Sequence, residues 1–156
     1  MEEYSLNPAK YGTHKLVASE IGINKTVLDV GCNKGYLKQL AHNNIFYGID
    51  YNEDDLKIAI KSGYKKVYQL DLNDYNRFRS KEKYDVIIFA DILEHLLFPD
   101  KVLKFFVNCY LKKGGKIIIS LPNVAHITVR LNLMKGSFVY TESGIFIRTV
   151  TETRQD

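Results

Sequence analysis

The sequence predicts an α/β fold: a parallel sheet of about five strands in the order 3-2-1-4-5, with helices on both faces. Three observations carry that expectation. Short apolar runs recur at 27–30, 45–49, 66–70, 84–90 and 116–121. Between most of them lie stretches with apolar residues at helical spacing, which builds right-handed βαβ units. The fourth run, Tyr84-Asp-Val-Ile-Ile-Phe-Ala90, is apolar on successive residues, as a strand covered on both faces should be. In such a sheet a ligand is expected at the carboxyl ends of strands one, two and four.

The elements follow in order. Residues 8–21 read as an amphipathic helix: Pro8 suits a first turn, Tyr11, Leu16, Val17 and Ile21 fall near helical spacing, and Gly22 stops it. Thr26-Val-Leu-Asp29-Val30 is the first strand, and Gly31-Cys-Asn-Lys-Gly35 is a glycine turn into a helix from Tyr36 to His42. Strand, glycine turn and helix together present backbone N–H groups to a ligand. The dinucleotide pattern wants glycine at 33 and 36, where Asn33 and Tyr36 stand, so a nicotinamide dehydrogenase is a poor reading. A carboxylate at Asp29 suits an ammonium group better than a pyrophosphate.

The second strand, Ile45 to Asp50, ends in an acid 19 residues after Gly31. A carboxylate there accepts from both hydroxyls of a ribose. Its competing role is to cap the next helix, but Asn52 can cap instead, ahead of the acidic first turn of a helix from Glu53 to Lys61. That helix is expected to bury Leu56, Ala59 and Ile60. Lys66 to Leu70 is the third strand, with Asp71 and Leu72 at its tip. Pro99 starts a long helix, with Val102, Leu103, Phe106 and Tyr110 inward and Gly114-Gly115 as its stop. The fifth strand is Lys116 to Leu121, and residues 124–134 read as a further helix ended by Gly136.

After strand four, Asp91, Glu94 and His95 stand at i, i+3 and i+4. On a helix they share one face. Two carboxylates and an imidazole there suit a general base or an oxygen/nitrogen metal site. The competing reading is a capping box, Asp91 with Glu94.

Composition narrows the function. The 156 residues fit a single domain, 1–156, and 46% hydrophobic residues exclude a disordered chain. No apolar run reaches membrane-spanning length and the N-terminus lacks a signal-peptide pattern, so a cytoplasmic location is expected. Two cysteines, Cys32 and Cys109, give neither a disulfide framework nor a zinc spacing. The net charge of +4 is spread over lysines beside turns and has no aromatic-interleaved stripe, so neither nucleic acid nor membrane is expected as a partner.

Asp29-Val-Gly31-Cys32-Asn33-Lys34-Gly35 resembles the first motif of class I S-adenosylmethionine-dependent methyltransferases, an acid followed by alternating glycines. The middle glycine is Asn33 here, a residue that tolerates left-handed backbone. The resemblance extends over roughly residues 8–150 and is closest to proteins similar to the methionine-biosynthesis protein W and to surface-glycan methyltransferases. Tyr140-Thr-Glu-Ser-Gly-Ile145 with Arg148-Thr149 is similar to a segment of theirs, although Ile147 and Val150 depart from it. Asp91-x-x-Glu94-His95 resembles a motif of ubiquinone-biosynthesis O-methyltransferases that is associated there with a divalent ion.

The resemblance implies a Rossmann-like fold that binds S-adenosyl-L-methionine. It places Asp29, Gly31, Asn33, Gly35, Asp50, Tyr51, Asp71, Leu72 and Ala90 at the cofactor, with Asp71 reaching the adenine amine and Leu72 packing on the ring. An Asx-turn competes for Asp71. Lys10 is a candidate for the cofactor carboxylate, competing with an ordinary surface lysine. Glu94 and His95 are the candidate catalytic pair, and no resident metal is expected.

The expected activity is methyl transfer to a small molecule or glycan precursor; the alternative is a non-catalytic S-adenosylmethionine-binding or partner-regulating subunit. Such folds continue into two more strands that this sequence is expected to lack. The fifth strand would then have an open edge, to be covered by a homodimer or a partner chain.

Overall fold

The computed structural model describes residues 12–122 and 147–153. Helix α1 (Thr13–Ile21) leads into β1 (Thr26–Val30), α2 (Tyr36–Leu40), β2 (Ile45–Asp50), α3 (Glu53–Lys61) and β3 (Lys66–Gln69). A 3₁₀ segment (Leu72–Arg77) precedes β4 (Tyr84–Ala90), and a short 3₁₀ turn (Leu93–His95) precedes α4 (Pro99–Tyr110). β5 (Leu111–Pro122) and β6 (Ile147–Thr153) complete the sheet. The expected segments at 8–11, at 124–134 and at 140–145, and Lys10, lie outside the described residues.

The first five strands are parallel in the expected order, β3-β2-β1-β4-β5. Their alternation divides the core. Leu28, Val30, Tyr47, Ile49, Ile87 and Phe89 pack with Val102, Phe106 and Tyr110 of α4 on one face. Val27, Phe46, Val86, Ile88 and Ile118 pack with Val17, Leu37, Leu56 and Ala59 on the other. Asn52 caps α3 as expected, accepting from the backbone N–H groups of Asp54 and Asp55. Ile60 is exposed instead of buried, because it lies on the outer face of α3, with Ile58, while Leu56 and Ala59 take the inner face.

Two expectations are corrected. Gly114-Gly115 does not stop α4, which ends at Tyr110; Leu111 already pairs with Tyr84, and the ladder resumes at Lys116↔Val86. Residues 112–115 therefore bulge out of β5, with Gly114 at φ +72°. The edge of β5 is also not open. β6 pairs antiparallel with it, from Lys116↔Thr153 to Pro122↔Ile147. The run Ile-Arg-Thr-Val-Thr-Glu-Thr is rich in β-branched residues, which suits a strand. A homodimer or partner chain is not needed to cover that edge.

Candidate functional site

The rim formed by the carboxyl ends of β1, β2 and β4 opens into a cavity of about 480 Å³. Asp29, Gly31, Asn33, Asp50, Tyr51, Asp71, Leu72, Ala90 and His95 of the expected set all line it. Gly35 and Glu94 are not among its lining residues.

The turn after β1 is held by both neighbours. The N–H groups of Gly31 and Cys32 donate to the Ile49 carbonyl at 2.8 and 2.9 Å. Gly31 has φ +80°, and a Cβ there would come within 2.9 Å of the Ile92 side chain. Asn33 adopts a left-handed conformation, φ +47°, which asparagine tolerates better than most residues. Its side-chain oxygen accepts from Lys34 N–H at 2.8 Å, and its own N–H donates to Asp50 Oδ2 at 2.8 Å. Asparagine thus replaces glycine without breaking the turn. Asp50 Oδ1 accepts from Asn52 N–H at 3.0 Å. Both oxygens are fixed by the backbone, and each retains a lone pair for another donor.

Asp29 is 3% exposed and accepts from the Tyr64 hydroxyl at 2.6 Å. Burial pushes its carboxyl up to about 7; the Tyr64 hydrogen bond pulls it down and the Asp50 charge pushes it up. Asp71 makes the Asx-turn that competed for it, its Oδ1 accepting from Asn73 N–H at 2.9 Å, yet it also faces the cavity.

Asp91 departs most from the expected helix. It sits at φ +50°, and helical structure begins only at Leu93 as a three-residue 3₁₀ turn. Asp91, Glu94 and His95 therefore do not form a helical face, and the capping box is absent because Ile92, not Asp91, occupies the N-cap. Ser120 instead donates to Asp91 Oδ1 at 2.9 Å, and Asp91 N–H donates back to Ser120 Oγ at 3.1 Å. Burial raises the Asp91 carboxyl, while the Ser120 hydrogen bond, His14 and His95 lower it. No group of three His, Cys, Asp or Glu among the described residues could hold a metal ion.

The sequence reading missed His14 and Tyr36. Both line the cavity, their rings edge to face at 5.7 Å. Burial lowers the His14 imidazole and the Asp91 carboxylate raises it. The only available signal was a histidine in the first turn of a helix otherwise read by its apolar stripe.

Residues 21–152 match the family described as "Methyltransferase domain". The ubiquinone biosynthesis O-methyltransferase of Shewanella sp. (strain ANA-3) is 30% identical over 124 residues, 76% of this chain and 52% of the relative. The chain thus spans about half the length of the curated relatives it matches. Among solved structures, the plantazolicin methyltransferase BpumL in complex with SAH aligns at a TM-score of 0.57 and 22% identity, covering 80% of this chain and 48% of that one. Coclaurine N-methyltransferase bound to N-methylheliamine and SAH aligns at 0.60 and 17%, covering 77% and 38%. At these identities the solved structures are similar in fold.

Proposed function

The chain belongs to the methyltransferase-domain family, and on that footing we propose that it binds S-adenosylmethionine at the strand ends and moves its methyl group to a hydroxyl of a small molecule or glycan precursor. One observation carries the reading: two buried carboxylates, Asp29 and Asp50, and the left-handed turn between them line the same cavity.

The donor set fits that cofactor. The volume of about 480 Å³ falls in the range of roughly 300–1,000 Å³ usual for ligand pockets. Asp29 suits the ammonium group, and Asp50, already oriented by two N–H groups, suits the ribose hydroxyls. Tyr51 lies beside Asp50 on the cavity wall. Leu72 offers apolar contact to the adenine, with Asp71 as acceptor for its amine. Ala90, small and at the end of β4, leaves the cavity open towards Asp91 and His95.

When bound, S-adenosylmethionine supplies an electrophilic methyl: the acceptor's lone pair forms the new bond and the carbon–sulfur pair returns to sulfur. The chain's part is to hold the acceptor in line and take up its proton. His95 is exposed at the cavity wall and suits that proton transfer. Glu94 lies beside it in sequence but outside the lining, so any part it has is indirect. The O-methyltransferase relative supports a hydroxyl acceptor.

Calorimetric titration with S-adenosylmethionine and, separately, with NAD tests the cofactor. Saturable binding of the first alone is expected. Binding of NAD in preference would remove the reading.

A further inference from the structure

Two glycines, Gly35 in the turn before α2 and Gly48 within β2, define walls of a slot. A Cβ on Gly35 would lie 2.7 Å from Tyr64 Cε2, and one on Gly48 would lie 2.5 Å from Cys32 Sγ and 3.0 Å from Tyr64 Cδ1. The Tyr64 ring occupies the space between them and is 3% exposed. Gly48 stands opposite Asp29 in the β1–β2 ladder, so the slot leads to that carboxylate. There the phenol donates to Asp29 Oδ2 at 2.6 Å. Phenylalanine would fill the same slot, so packing alone does not explain the hydroxyl. A buried hydroxyl is costly unless bonded, and a buried carboxylate more so. The described residues offer no hydrogen bond to Asp29 Oδ1, and Asp29 lines the cavity.

We propose that Tyr64 is a positioning residue for the ammonium end of the cofactor: its hydroxyl holds Asp29 as an aimed carboxylate, so that ammonium binding and ionisation of Asp29 are one coupled event. This rests on the cofactor reading above. The charged and titratable groups that act on Asp29 among the described residues are few. Tyr64 lies on the α3–β3 connection, Asp50 ends β2, and Cys32 sits in the turn after β1. Burial drives the Tyr64 phenol well above its ordinary range and pushes the Cys32 thiol up, so both stay neutral and Tyr64 remains a donor. With Asp29 pushed up to about 7, the ligand-free site holds it partly protonated at neutral pH. An arriving ammonium favours the carboxylate and expels that proton to solvent; no covalent bond changes in the ligand. The Tyr64 hydrogen bond is the downward pull on the Asp29 carboxyl, and its loss shifts ionisation to higher pH.

The test is calorimetry with S-adenosylhomocysteine, the demethylated cofactor, from pH 5.5 to 7.5, each pH in two buffers of different ionisation heat. For the wild-type chain, affinity should rise roughly tenfold or more across that range, with proton release below about pH 7. Tyr64→Phe keeps the ring in its slot. It should bind severalfold more weakly at pH 7, with its affinity profile displaced to higher pH and more proton released per ligand. Asp29→Asn should abolish the linked proton, and adding Tyr64→Phe to it should cost nothing further. Should Tyr64→Phe fail to fold, as judged by melting, the proton count of Asp29→Asn against wild type still decides. Affinity and proton count unchanged in Tyr64→Phe would overturn the proposal. So would a uniform loss at every pH, which marks a purely structural tyrosine. Wild-type binding with no linked proton overturns the coupling and leaves the cofactor reading standing. No wild-type binding at any pH overturns both.

Discussion

Asp29 is a carboxylate placed in the apolar face shared by α1, α2 and α3, and its stability cost has a definite sign. Folding raises its pKa from 3.8 to about 7. Between those values the folded chain keeps a proton that the unfolded chain has lost, so this group destabilises the fold as pH rises. The full penalty above pH 7 is on the order of 4 kcal/mol. Asp29→Asn, which still accepts from Tyr64, should therefore melt several degrees higher than wild type at pH 8, with the gap narrowing towards pH 5. An equal or lower melting temperature at pH 8 would contradict this. If Asp29 binds the ammonium group as proposed, that cost is the expected trade between stability and binding. His95 is the opposite case. It is exposed and ends a short 3₁₀ turn, so His95→Ala should change stability by no more than about 0.5 kcal/mol. Its affinity for S-adenosylmethionine should stay within about twofold, while transfer to a hydroxyl acceptor falls by roughly 10²-fold. Early melting together with weak cofactor binding would make it a structural residue.

At the scale of elements, the turn after β1 and the start of α3 are one unit joined by Asp50. Its two oxygens accept from Asn33 N–H on one side and Asn52 N–H on the other. Asn52 in turn caps α3. Removing the carboxylate thus has two effects: the acceptor proposed for the ribose is lost, and two backbone donors lose a charged partner. Asp50→Ala should weaken S-adenosylmethionine binding roughly tenfold or more, since a hydrogen bond to a charged group is worth ~1.5–3 kcal/mol, and should lower the melting temperature as well. Unchanged affinity in a titration would remove Asp50 from the ribose. The carboxyl end of β4 follows the same logic. Asp91 takes a left-handed backbone and is tied to Ser120 of β5, so the Asp91 side of the cavity is set by a strand-to-strand contact and not by a helix.

For the whole molecule, the sheet order places the ends of β1, β2 and β4 along one rim, and α1 and α2 bring His14 and Tyr36 to it. Two hydrophobic layers hold the sheet from either side, so the rim is carried on a rigid base. β6 covers β5 and leaves β3 as the edge strand at the opposite side. None of the described helices is long and apolar enough to cross a membrane.

The sequence by itself determined the five parallel strands, their order, the glycine turn, the Asn52 cap and about half of the cavity's lining. Most of those features are local: a run of β-branched residues, an acid at a strand end and an asparagine before three acids each act within a few residues, and the strand order follows from the handedness of βαβ connections. The tertiary structure decided the rest, because the partners are distant in the chain. Tyr64 meets Asp29 across 35 residues, and Ser120 fixes Asp91 across 29. Gly35 and Gly48 read as turn and strand residues, and only the packed fold reveals that their missing side chains admit a tyrosine ring and, at Gly48, the Cys32 thiol. Burial, a property of the assembled layers, then sets the charge of Asp29, which its place in the motif could not.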